Sequence, residues 1–153
     1  MKKISTIGSL LKKIYRIYSN QLLSELQAKG FIDLRPSFLE ILMYLSENQS
    51  PSIKEIGYAC GLKKQTMTSH LNELEKRGYI LRNKSEIDRR ELKVDLTDYG
   101  EKFKIALIDV STILEKKYLN AIGSVEVDRI EHILENFYSK VQMTQDDFQI
   151  KLI

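Results

Sequence analysis

Between positions 63 and 72 the chain sets Lys63, Lys64, Gln65, Thr66, Thr68, Ser69 and Asn72 around the apolar pair Met67 and Leu71. On a helix, at about 100° per residue, Gln65, Ser69, Asn72 and Lys76 point away from the stripe of Met67, Leu71 and Leu74, and Thr66 and Thr68 flank them, a largely uncharged face. Small polar side chains of this kind can hydrogen-bond base edges in a major groove, and Lys63 and Lys64 at the helix start can meet phosphates. A solvated face is the plainer reading, but such a face more usually carries Glu and Lys at i, i+4 than Thr, Thr and Ser.

A second cationic group follows at Lys84-Ser85-Glu86-Ile87-Asp88-Arg89-Arg90. Asp88 can hold the Arg90 guanidinium by a charge-assisted hydrogen bond and present it, beside Arg89, to a narrow minor groove. Taken alone, a loop ion pair without function explains the same residues.

The elements that must position these groups are legible from periodicity and punctuation. Ser52 is a good N-cap for a short helix with Ile53, Ile56, Gly57 and Cys60 on one face. Gly57 then faces a neighbouring helix, and Gly61 suits a tight turn of positive φ. The next helix runs from Lys63 or Lys64 to Arg77 and stops at Gly78. Tyr79–Asn83 and Glu91–Leu96 read as the strands of a hairpin, the second alternating Leu92, Val94 and Leu96 with charged residues.

Around this motif the chain is helical. Ile7–Lys29 carries the stripe Ile7, Leu11, Ile14, Tyr18 and Leu22, widened by Leu10, Ile17 and Leu26, with Gly30 as its stop. Pro36 opens a helix bearing Phe38, Ile41, Leu42 and Leu45. After the hairpin, Thr97 caps a helix to about Ala121 with Phe103, Leu107, Val110, Leu114 and Tyr118 in phase, and Gly123 closes it. Ser124 is expected to cap a last helix with Val127, Ile130, Leu134, Phe137 and Val141 at alternating three-four spacing. The tail Asp146–Ile153, with Phe148, Ile150, Leu152 and Ile153, either extends that helix or folds back. The end helices offer more apolar surface than the motif can cover, which predicts a homodimer; a monomeric bundle satisfying its own seams is the alternative.

Bulk properties agree with this organisation. The 153 residues suit one domain with an oligomerisation extension. Residues 63–93 hold nine Lys or Arg against five Asp or Glu, a net of +4, which leaves −1 for the rest of a chain of formal charge +3. The positive field is therefore concentrated on the motif. One cysteine excludes an internal disulfide framework. Lys12 and Lys13 interrupt any signal-like core, and no run approaches the ~20 apolar residues of a membrane span, so a cytoplasmic location without membrane contact is expected. Cys60 reads as a small core residue and His70 as a packed or phosphate-near histidine. No metal site, phosphate loop or catalytic constellation can be assembled from the sequence, so neither a cofactor nor an enzymatic activity is expected.

The residues Ile53 to Leu71, the helix end Leu74-Glu75-Lys76-Arg77-Gly78-Tyr79-Ile80, the Asp88-Arg89-Arg90 tip and Leu96-Thr97 before Gly100 together resemble the MarR family of bacterial and archaeal transcriptional regulators. The resemblance covers nearly the whole chain. It implies a mainly α fold with a small β-hairpin wing, a winged helix-turn-helix over residues 34–97 flanked by dimerisation helices in 1–33 and 98–153. It also implies a homodimer on double-stranded DNA, with Lys64, Gln65, Thr66, Thr68 and Ser69 at the major groove, Arg90 in the minor groove and Asp88 orienting it. Lys63 departs from the Ser or Asp cap common in the family. Members often respond to small aromatic or anionic ligands in a cleft, and Tyr15, Tyr18 and Tyr44 lie on segments able to line one, although core filling accounts for them equally well. A winged helix that meets protein instead of DNA is the competing class.

Overall fold

The computed structural model describes residues 2–152, with side chains over 2–145. Eight elements follow in order: α1 (Lys3–Ala28), α2 (Pro36–Glu47), α3 (Ile53–Cys60), α4 (Lys64–Lys76), β1 (Ile80–Lys84), β2 (Leu92–Leu96), α5 (Asp98–Ile122) and α6 (Ser124–Leu152). Residues 1–111 and 112–153 form two compact units. The expected mainly helical architecture with a hairpin wing is the one observed.

Within residues 1–111 the helix ends are set by backbone geometry that glycine makes cheap. At the end of α4, Gly78 has φ +86°, its N–H donates to the Glu75 carbonyl at 3.0 Å, and Tyr79 N–H donates to the Leu74 carbonyl at 3.0 Å. This is a Schellman closure, with the orphan carbonyls satisfied by the two residues after the helix. The same pair of bonds closes α1, from Gly30 N–H to Gln27 and from Phe31 N–H to Leu26. At the other end of α3, the Ser52 hydroxyl accepts from Glu55 N–H at 3.1 Å, as a side-chain N-cap should.

The core gathers the apolar faces of α1, α2 and the motif. Leu22, Leu26, Phe38, Ile41, Leu42, Ile56, Met67, Leu71 and Leu74 are buried, together with Ile80 and Val94 of the hairpin. Each such side chain contributes about 1.5–3 kcal/mol by leaving water. The strands pair antiparallel, with Ile80 opposite Leu96, Arg82 opposite Val94 and Lys84 opposite Leu92. Val94 is the one apolar residue of β2 that is fully covered, and Leu92 is exposed. A two-stranded hairpin has one side on the protein and a tip in water, so strict alternation in sequence yields burial only near its base.

The N-terminal half of α1 is less covered than its stripe suggests. Burial is confined to Ser19, Leu22, Leu23 and Leu26, whereas Ile4, Ile7, Leu10, Leu11, Ile14 and Ile17 are exposed. Within α5 the expected stripe is buried at Phe103, Leu107, Val110 and Leu114. Thr97 caps that helix as expected, its hydroxyl accepting from Gly100 N–H at 3.0 Å.

The last helix corrects one expectation. Its first helical residue is Ser124, and the cap position falls on Gly123, whose carbonyl accepts from Val127 N–H at 3.1 Å while its own N–H closes α5 on the Leu119 carbonyl at 2.8 Å. With φ +95°, Gly123 ends one helix and begins the next, leaving Ser124 no capping role. The backbone of the tail continues α6 to Leu152. The apolar residues noted in the tail lie outside the described side chains.

Two glycines are held by close approach rather than by φ. A Cβ on Gly100 would lie 2.2 Å from the Tyr79 carbonyl oxygen and 3.0 Å from Leu96. A Cβ on Gly57 would lie 3.4 Å from both the Leu62 carbonyl oxygen and Met67 Cγ, a close contact that still admits a methyl group. Gly57 therefore does face α4, as expected. Gly100→Ala is expected to destabilise the fold by at least about 1–3 kcal/mol through overpacking. Gly57→Ala is expected to be neutral or stabilising by up to about 1 kcal/mol through helix propensity, and Gly57→Leu destabilising. Urea titration of the three variants checks the order.

Candidate nucleic-acid interface

The outward face of α4 is the surface its sequence implies. Lys64, Gln65, Thr66, Thr68, Ser69 and Asn72 are all exposed, opposite the buried Met67, Leu71 and Leu74. Lys64, Gln65, Thr68, Ser69 and Asn72 line one shallow hollow. Lys63 occupies the N-cap position without a side-chain capping bond, so the first backbone N–H groups of α4 are left to solvent or to an anion. The Thr68 hydroxyl donates to the Lys64 carbonyl at 2.9 Å, which leaves it facing outward as an acceptor.

The wing tip is ordered from within. Buried Ser85 accepts from the N–H groups of Ile87 at 3.2 Å and Asp88 at 3.3 Å, and its own N–H donates to the Glu91 carbonyl at 2.9 Å. Asp88 does something other than the expected guanidinium clamp. Its Oδ1 accepts from the backbone N–H of Arg90 at 3.0 Å, while the Arg90 Nε stands 4.0 Å away, too far for a hydrogen bond. The carboxylate fixes the backbone of the turn and attracts the guanidinium only as an ion pair. Arg90, with its side chain 97% exposed, remains free to turn. Arg89 is exposed beside it.

A link not foreseen from the sequence ties the wing to α4. Arg82 of β1 donates through one terminal nitrogen to Asn72 Oδ1 at 2.8 Å and to Glu75 Oε2 at 2.6 Å. The bond to Glu75 holds that carboxyl below the usual glutamate range, opposed by burial and assisted by the charge of Arg82. The available signal was strand phase. Arg82 falls on the same face as buried Ile80, and a charged residue on an inward face needs a partner.

Two other residues are placed by packing. The His70 ring stands edge-on to Phe38 at 5.2 Å between centroids, as a packed histidine. Cys60 was expected in the core and is only half-buried, at the last residue of α3. Burial, and then the nearby Glu40 carboxylate, push its thiol up to about 11, which keeps it protonated and unreactive at neutral pH. Among the described residues no three His, Cys, Asp or Glu side chains are grouped to hold a metal, and no helix is long and apolar enough to cross a membrane.

A short helix, a glycine turn, a second helix with a polar outer face and a basic hairpin define a winged helix-turn-helix protein. The model of the MarR family matches residues 34–92. The transcriptional regulator SarZ of Staphylococcus aureus is 31% identical over 130 residues, covering 84% of this chain and 81% of SarZ. This chain belongs to the MarR family. Among solved structures it is similar in fold to Streptococcus pneumoniae FabT in complex with DNA, with a TM-score of 0.74, 21% identity and coverage of 92% of this chain and 98% of that one. It is similar also to the PcaV transcriptional regulator from Streptomyces coelicolor in complex with its natural ligand, with a TM-score of 0.71, 15% identity and coverage of 91% and 96%. The family and SarZ are transcriptional regulators, not enzymes, in keeping with the expectation from the sequence.

The Arg82–Glu75 pair gives a pH signature. Because the Glu75 carboxyl titrates lower in the folded chain than in the unfolded one, its contribution is complete above the ordinary glutamate value and is lost as pH falls through the lowered one. The pair is partly exposed, so the effect is expected to stay below about 1 kcal/mol. Thermal melts of wild type and Glu75→Gln should differ most near neutral pH and converge as pH falls through the lowered Glu75 value.

Proposed function

We propose that this protein is a sequence-specific DNA-binding transcriptional regulator acting as a homodimer on a pseudo-palindromic operator, in the cytoplasm, and repressing by occlusion. The observation that carries the reading is the largely uncharged, exposed outer face of α4 beside an exposed Arg90 on an internally braced wing. In this reading Lys63 and Lys64 meet phosphates. Gln65, Thr66, Thr68, Ser69 and Asn72 face base edges, Arg90 enters the minor groove, and Arg89 and Asp88 support it. Residues 34–97 form the DNA-binding part, and residues 1–33 and 98–153 hold two chains together.

The uncovered apolar residues of α1, with Ile130, Ile133, Leu134 and Val141 of α6, support the dimer. Two recognition helices then reach successive major grooves about 34 Å apart. PcaV was solved with its natural ligand, which supports the further reading that a small aromatic or anionic molecule releases this protein from its operator.

Arg90→Ala is expected to weaken duplex binding by about 1–3 kcal/mol without changing the melting temperature. Fluorescence anisotropy on a selected operator measures it, and unchanged affinity removes Arg90 from the interface. Log affinity should fall linearly with log salt; a flat response would place the wing against protein instead. Ile14, 60% exposed on α1, tests the dimer. Ile14→Glu is expected to shift the species seen by sedimentation equilibrium from dimer to monomer while the helical circular dichroism is retained.

A further inference from the structure

The bond between the wing and the recognition helix restricts what that helix can read. Asn72 and Glu75 lie three residues apart on α4 and so on neighbouring positions of one face. Arg82, opposite Val94 in the hairpin, places one nitrogen between Asn72 Oδ1 at 2.8 Å and Glu75 Oε2 at 2.6 Å. A guanidinium carries donors only, so the amide atom turned toward it has to be the oxygen. The Asn72 amide is thereby fixed with its NH2 group away from Arg82, while Asn72 lines the same hollow as Lys64, Gln65, Thr68 and Ser69.

An unrestrained asparagine pairs in bidentate fashion with adenine, its oxygen accepting from N6 and its nitrogen donating to N7. An asparagine whose oxygen is turned toward Arg82 presents its NH2 donors on the other side, although that oxygen keeps a second lone pair. In the major groove such a side chain suits guanine, with O6 and N7, or thymine, with O4, and has no partner on cytosine, which presents only the N4 donor.

We propose that Arg82 is a specificity-determining positioning residue: it holds the Asn72 amide donor-outward, so that the base pair facing Asn72 is chosen for an acceptor edge and adenine loses its advantage. The inference rests on the DNA-binding reading above. Glu75 keeps Arg82 in place and does not touch DNA.

Selection of bound sequences from random duplex DNA by the full-length chain tests it, with wild type, Arg82→Met, Asn72→Ala and the double variant compared, and melting temperatures recorded for each. Wild type should favour guanine or thymine over cytosine at one position of each half-site by about 5- to 10-fold. Arg82→Met should raise adenine at that position alone, leaving the others as they were. Asn72→Ala should flatten the position, and adding Arg82→Met should then change nothing more. Should Arg82→Met fold poorly, Arg82→Gln, too short to span the pair, is read in the same way. An unchanged preference in Arg82→Met, or an even loss across all positions, overturns the assignment. A wild type that selects no sequence overturns the DNA-binding reading itself, whereas a clear wild-type preference indifferent to Arg82 overturns only this inference.

Discussion

The backbone of Tyr79 is the point on which the DNA-binding motif turns. Its N–H closes α4 on Leu74, and its carbonyl accepts from Thr97 N–H at 3.0 Å. The Thr97 hydroxyl lies against the carbonyls of Gly78 and Tyr79, and Gly100 leaves that strip of backbone the room a side chain would take. The ring is buried in a cluster with Phe31, Tyr99 and Phe103, at centroid distances of 6.4, 4.9 and 5.8 Å, and the hydroxyl donates to Asp33 Oδ1 at 2.8 Å. Burial first, then the bond to Asp33, raise the phenol far above the ordinary tyrosine value, so it is a neutral donor at neutral pH. One residue thus joins the end of the recognition helix, the start of the wing and the first turn of α5.

That junction explains how α4 and the wing can keep a fixed relation with little core between them. The wing has two strands, which are marginal on their own in water. It is held at its base by Val94 N–H donating to the Pro51 carbonyl at 2.9 Å, along its side by Arg82 on α4, and at its tip by Ser85 and Asp88. Beyond these bonds the Arg90 side chain is 97% exposed, with Asp88 as an ion-pair partner at 4.0 Å.

Much of this was legible in the sequence because helix ends are written in residues with few alternatives. Gly30, Gly78 and Gly123 each stand where a helix stops and φ is positive, and the polar face of α4 follows directly from counting by 3.6. What was not legible depends on which of several satisfactory partners a group takes. Ser124 is a better N-cap by type than Gly123, yet the glycine that ends α5 already supplies the carbonyl and the turn. Asp88 was expected on a side chain and binds a backbone N–H instead, which is nearer and already ordered. Periodicity identified the apolar face of α1 but carries no information on how far along the helix that face is covered. Cys60 shows the same gap, since a position on the inward face of a short helix need not be fully covered at the helix's last residue.

The bare start of α4 sets stability against affinity at a single position. A helix usually begins with an oxygen that accepts from its first N–H groups, and a cation there also opposes the helix dipole. Lys63 forgoes the first and incurs the second, so replacement by Ser or Asp would stabilise the folded chain by about 1 kcal/mol while filling the site and removing positive charge from it. Position 63 is therefore a natural place for compromise: sequences selected only for thermal robustness would drift toward the capping residue, and those selected to hold a polyanion would keep the lysine.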